Sequence, residues 1–141
     1  MRFMIIRRAD EETETGAMPS PELLDAMMKY NEELIKAGVM LQGEGLQPSS
    51  KGMRVKFSGG KQVIDGPFAE TKELIAGFTM IQVKSREEAI EWVKRWPPID
   101  AHGELELEIR QVFEPEDFGP ALTPEIRKQE ERLRSRRSEE K

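Results

Sequence analysis

Two stretches of this chain are apolar on both sides of an extended backbone, and that restricts the fold more than any other feature. In Arg2-Phe3-Met4-Ile5-Ile6-Arg7, Phe3 and Ile5 share one parity while Met4 and Ile6 share the other. Leu74 to Lys84 repeats the pattern, with Leu74, Ala76, Phe78 and Met80 at even positions and Ile75, Thr79, Ile81 and Val83 at odd ones. Successive side chains of a strand point to opposite faces, so each stretch needs cover on two sides. Both belong inside a sheet.

The segments between them have their own signals. Residues 9–19 are acidic, carry Gly16 and Pro19, and predict a loop. Ser20 then caps a helix with Pro21 in its first position and Glu22 near the positive end of the dipole. Leu23, Leu24, Met27, Met28, Leu34 and Ile35 recur at three- and four-residue spacing, and Gly38 supplies a stop. Val39 to Leu46 predicts a strand weakened by Gly43 and Gly45. Residues 53–57 and 61–64 flank Ser58-Gly59-Gly60, a hairpin signal. Ser85 with Glu88 has the spacing of a capping box, opening a helix that buries Ala89, Ile90, Val93 and Trp96 before Pro97-Pro98 end it. Leu105, Leu107 and Ile109 alternate with Glu104, Glu106, Glu108 and Arg110 in a final, half-exposed strand.

Strand, helix, strand, added hairpin, strand, helix, strand is the order of an α+β chain with a ferredoxin-like βαββαβ antiparallel sheet. That topology puts the first and third main strands in the middle, the two that are apolar on both faces. Two helices cover only one face. A second copy of the chain, sheet against sheet, is the simplest cover for the other, which predicts a homodimer.

Composition narrows the function classes. A chain of 141 residues, 37% hydrophobic and 35% charged, has the length of one domain with an economical core. The expected division is a domain over residues 1–120 and a charged tail over 121–141, helical at first behind Thr123, Pro124 and Glu125 and frayed at its end. Within the net charge of −5, the tail holds seven Lys/Arg against five Asp/Glu, and the first 120 residues hold 15 against 22. An acidic body is a poor match to phosphates, so no nucleic-acid partner is expected. The absence of cysteine removes thiolate metal sites and a Cys nucleophile and fits a cytoplasmic location. No signal peptide or membrane span is read, the first apolar run being only Phe3 to Ile6.

Asp65-Gly66-Pro67-Phe68-Ala69-Glu70-Thr71-Lys72-Glu73 reads as an over-determined exposed turn, with Asp to accept backbone N–H groups, Gly to permit φ > 0, Pro to fix φ and Phe68 to anchor it. This stretch resembles the signature of the DGPF family, a branch of the YCII-related domain. Pro21-Glu22-Leu23-Leu24, Lys29 to Leu34, Ala37-Gly38-Val39, Gly43 to Pro48 and Gly103 to Phe113 are similar to the same pattern in the same order, so the resemblance covers roughly residues 1–118. It implies a dimeric α+β barrel, two ferredoxin-like protomers with sheets facing across a cavity that takes a small molecule. Relatives on that fold include muconolactone-type isomerases, dehalogenases and cofactor-poor monooxygenases. The broader YCII group has a histidine early in its first helix, paired with an aspartate. Residues 20–38 here contain no histidine, and that pair does not carry over.

The candidate chemistry is therefore sparse. Asp65, carried as the DGPF aspartate, is either a turn cap or a cavity carboxylate whose pKa Glu70 would raise and Lys72 would counter. His102 is the single histidine and titrates near neutral pH. Tyr30, Glu44, Pro67, Phe68, Glu70 and Lys72 are ligand-binding candidates by resemblance. One histidine without cysteine makes a transition-metal site improbable, and no cofactor is expected. Gly43-Glu44-Gly45 lacks the third glycine and the following helix of a dinucleotide site. Two readings stand: a cofactor-independent isomerase, lyase or dehalogenase-like enzyme, and a non-catalytic metabolite-binding or transcription-associated regulatory dimer.

Overall fold

A computed structural model of the chain describes residues 1–65 and 73–139, with residues 63–65 by their backbone alone. The chain separates into two compact units, Met1–Gln111 and Val112–Lys141. In the first, β1 (Arg2–Arg8) leads through a short helix α1 (Glu11–Glu14) to α2 (Pro21–Lys36) and β2 (Met40–Gly45). The hairpin strands β3 (Arg54–Ser58) and β4 (Lys61–Asp65) follow, then β5 (Ile75–Gln82), α3 (Arg86–Val93) and β6 (Leu107–Gln111). The four main strands form one antiparallel sheet in the order β2-β5-β1-β6. This is the ferredoxin-like α+β arrangement, and the two strands with apolar residues on both faces are the central pair.

Alternation assigns the faces. Phe3 and Ile5 of β1 and Ile81 of β5 join Tyr30 and Leu34 of α2, Ala89 of α3 and Trp96 in the core. Ile5, Leu34 and Ile81 are sealed from solvent, each worth about 1.5–3 kcal/mol of apolar burial. On the opposite face Met4 stands across from Met80 and Ile6 across from Phe78. These four are only half-buried in the single chain.

Local chemistry sets the ends of the helices. The Ser20 hydroxyl accepts the Leu23 N–H at 3.1 Å, ahead of Pro21 in the first helical turn. At the other end Gly38 takes φ +71, Gly38 N–H reaches the Ile35 carbonyl and Val39 N–H the Leu34 carbonyl, both at 2.9 Å. That pair of hydrogen bonds closes α2 as a Schellman motif and folds Val39 back onto Leu34. Ser85 caps α3 through the Glu88 N–H at 3.1 Å, while the Glu88 carboxylate returns to the N–H of Lys84, one residue before the cap. The loop expected over residues 9–19 contains α1. Asp10 and Thr13 exchange side-chain-to-backbone bonds of 2.8 Å, a capping box that nucleates one turn within an acidic stretch.

Gly59 and Gly60, with φ of +57 and +80, close the hairpin, and every side chain of β3 is exposed. Asp65 ends β4 opposite Arg54. In the second unit Phe113 and Phe118 stack at 5.1 Å, and α4 (Pro124–Glu139) begins behind Thr123, whose hydroxyl accepts the Ile126 N–H. This helix buries no residue and continues through Glu139, further than its capping signals alone suggest. Arg134 pairs with Glu130 at 2.8 Å on its surface. No helix among the described residues is long and apolar enough to cross a membrane.

Candidate functional site

Near its first turns α2 stands away from the sheet, leaving a cavity of about 810 Å³ in the first unit. Its walls come from the end of β1, the end of β2, the start of β5, the first turns of α2 and residues 96–102. The sheet is irregular here. Arg7 faces Gly77 and Arg8 faces Ile75, so Ala76 is an extra residue in β5. Bulges of this kind re-aim side chains beside sites. Gly77 is required by space: a Cβ there would lie 2.9 Å from the Glu44 carbonyl oxygen.

The buried floor is a charge network. Arg7 donates from Nε to Asp100 Oδ2 at 3.3 Å and from Nη2 to Asp100 Oδ1 at 2.8 Å, a two-pronged bond. Its Nη1 reaches the Arg8 carbonyl at 2.7 Å and Asp10 Oδ2 at 3.1 Å. Trp96 Nε1 donates to Asp100 Oδ2 at 2.9 Å. Burial alone would lower the Arg7 pKa, but the hydrogen bond and charge of Asp100, then Asp10, raise it. For Asp10, burial pushes upward, and the Thr13 N–H and Arg7 outweigh it to hold the carboxyl below its usual range.

Asp100 turns inward because the chain kinks directly after it. Ala101 and His102 take φ of +53 and +56, and Gly103 follows at +83. The left-handed conformation costs a residue with a Cβ about 1 kcal/mol or more, so this segment holds strain beside the cavity. The kink sends His102 to the rim, where Nε2 lies 2.9 Å from Glu12 Oε1 of α1. The hydrogen bond and negative charge of Glu12 raise the imidazole pKa above its ordinary value.

Of the sequence candidates, His102 and Glu44 both line the cavity. Tyr30 does not. It is core, with its ring 5.5 Å from that of Trp96 and its hydroxyl donating to the Trp92 carbonyl at 2.7 Å. Burial, with some help from Glu33, pushes its phenol up to about 12. It ties α2 to the end of α3. The Asp65 side chain and Pro67, Phe68, Glu70 and Lys72 lie outside the described residues. The cavity also gathers Arg7, Asp10, Glu12, Asn31, Thr79 and Asp100, none of them singled out by sequence reasoning. No trio of His, Asp or Glu among the described residues is grouped to hold a metal ion.

The pattern of the YCII-related domain matches residues 1–114, which include the whole sheet, both helices on it and every residue of the cavity wall. The chain belongs to the YCII-related domain family. An uncharacterised protein from Rhizobium meliloti (strain 1021) is 28% identical over 89 residues, covering 60% of this chain and 72% of that protein. Among solved structures, this YCII-related chain is similar to 5-chloro-2-hydroxyhydroquinone dehydrochlorinase from Burkholderia phenoliruptrix AC1100, in complex with 2,5-dihydroxybenzoquinone. The match covers 80% of this chain and 94% of that one at a TM-score of 0.44 and 13% identity.

Proposed function

We propose that this YCII-related protein binds a small organic molecule in the cavity beside α2 and transforms it with its own acid–base groups, as an isomerase, lyase or dehalogenase-type enzyme. The observation that carries the reading is one cavity with charged groups at two depths: the buried Arg7–Asp100 pair and the rim pair His102–Glu12. Glu12 raises the pKa of His102 through a hydrogen bond and its charge, and an imidazole held by a carboxylate is a pairing that general acid–base work uses. Leu23, Met27 and Trp96 offer an apolar bed for the body of a ligand, and Glu44 a carboxylate at its edge. Asp65 and the turn residues Pro67, Phe68, Glu70 and Lys72 join this reading through the family resemblance.

The assay is consumption of small molecules from a metabolite extract, followed by mass spectrometry, with wild type beside His102→Gln and Glu12→Gln. Selective loss of one compound with wild type, and not with the two variants, is the expected result. A compound retained by the protein but never consumed would favour the regulatory reading instead.

The same proposal has the protein acting as a homodimer through the open sheet face. Met4, Ile6, Phe78 and Met80 form a contiguous apolar stripe there, and soluble proteins rarely leave such a face bare. Obligate interfaces bury upwards of about 2,000 Å² in total, so dissociation and unfolding should be coupled. The melting temperature should rise with protein concentration. A monodisperse monomer in light scattering at micromolar concentration, with a concentration-independent melt, would sink the dimer.

A further inference from the structure

Two neutral polar side chains of the cavity wall have no hydrogen-bond partner among the described residues. Thr79 is only 4% exposed, on the core face of β5 beside Ile81, yet its hydroxyl has no partner among the described residues. Asn31, half-buried and four residues on from Met27 on the same stripe of α2, is in the same position. No side-chain nitrogen or oxygen that is fully sealed from solvent lacks a partner among the described residues. The Thr79 hydroxyl is therefore accessible, and the space it opens onto is the cavity it lines. A hydroxyl without a protein partner that faces a cavity is left to bond with whatever fills it, and a ligand oxygen placed there takes that bond.

Charge narrows what that ligand is. The wall carries Asp10, Glu12, Glu22, Glu44 and Asp100 against Arg7 and His102. Arg7 is already held by Asp100 and Asp10, so an incoming anion would compete with two carboxylates inside an acidic wall. A cation has no better anchor in depth: the carboxylates with no partner among the described residues, Glu22 and Glu44, are exposed and screened by salt. The open polar groups with a buried or half-buried base are neutral. A hydroxyl donates and accepts, and an amide does both.

We infer that the cavity takes an uncharged, oxygen-bearing molecule, an alcohol or carbonyl compound with an apolar body, whose oxygen is bound by the Thr79 hydroxyl and the Asn31 amide. This rests on the proposed small-molecule site but not on the acid–base step. The body of the molecule would lie along Leu23, Met27 and Trp96.

Three probes of nearly equal size separate the charge classes: benzyl alcohol, benzoate and benzylamine. Each is titrated into isotope-labelled full-length protein and followed by amide chemical shifts. Benzyl alcohol should bind saturably, moving the amides of Thr79 and Asn31, while benzoate and benzylamine bind more weakly. Thr79→Val, which keeps the shape and removes the hydroxyl, should weaken benzyl alcohol about tenfold, the value of one hydrogen bond. Thr79→Ser should restore binding, and Asn31→Ala should weaken it as Thr79→Val does. Tighter cavity binding of benzoate or benzylamine, or unchanged affinity in Thr79→Val, overturns this inference and leaves the site standing. If no probe moves any cavity-wall amide, the inference and the small-molecule site fall together.

Discussion

Replacing Asp100 by Asn removes one charge from the cavity floor while keeping the shape, and its cost follows from the contacts. Both Asp100 oxygens are in use, one shared between Arg7 Nε and Trp96 Nε1 and the other taken by Arg7 Nη2. The amide of Asn offers one acceptor and turns an N–H₂ toward the guanidinium in either orientation, and toward the indole as well in one of them. The Arg7 and Asp100 side chains are 11% and 8% exposed, so the guanidinium is left buried beside a neutral partner. Breaking a buried pair from one side typically costs about 3–5 kcal/mol. Asp10 remains at 3.1 Å but is 35% exposed and compensates only in part, which places Asp100→Asn near 3 kcal/mol, at the low end of that range. Urea unfolding at fixed protein concentration measures it. The double variant Arg7→Met/Asp100→Asn should regain much of the loss, because no unpaired charge is then buried. A loss below about 1 kcal/mol, or no coupling between the two sites, would refute the argument that the floor is a desolvated ion pair.

Gly77→Ala places a Cβ 2.9 Å from the Glu44 carbonyl oxygen, so β2 and β5 must part; a loss of about 1–3 kcal/mol in urea unfolding is expected. The folded-state pKa of His102 is raised, so the stability its pairing with Glu12 contributes is full below the unfolded value of 6.5 and is lost as pH rises through the higher folded value. Wild type should therefore lose melting temperature relative to Glu12→Gln across that window, and the His102 ring titration, followed by NMR, should move down in the variant. Deleting residues 124–141 should change the melt of the remaining chain little, since α4 buries no residue; loss of solubility would contradict this.

Much of the frame was legible because it is written in local chemistry. Ser20-Pro21, Gly38, Gly59-Gly60 and Ser85 each act on backbone within a few residues, and alternation in Phe3 to Ile6 and Thr79 to Val83 reports burial directly. The cavity was harder to read, because its parts are distant in sequence: Arg7 and Asp100 are 93 residues apart. A signal was nevertheless present. Arg7 continues the parity of Phe3 and Ile5, and Thr79 that of Ile81, so each polar group falls on the core face and needs a partner or a use. α1 was missed because Asp10 and Thr13 sit in a stretch whose acidity reads as loop. Tyr30 looked like a site residue by resemblance, yet it occupies the buried stripe of α2 with Leu34.

The most direct test of the small-molecule cavity is a crystal structure of the full chain soaked with a fragment set spanning neutral, anionic and cationic compounds. Density is expected for a fragment between α2 and the start of β5, within hydrogen-bonding reach of Thr79 and Asn31. Fragments bound only elsewhere on the protein, with the cavity filled by its own side chains, would contradict it.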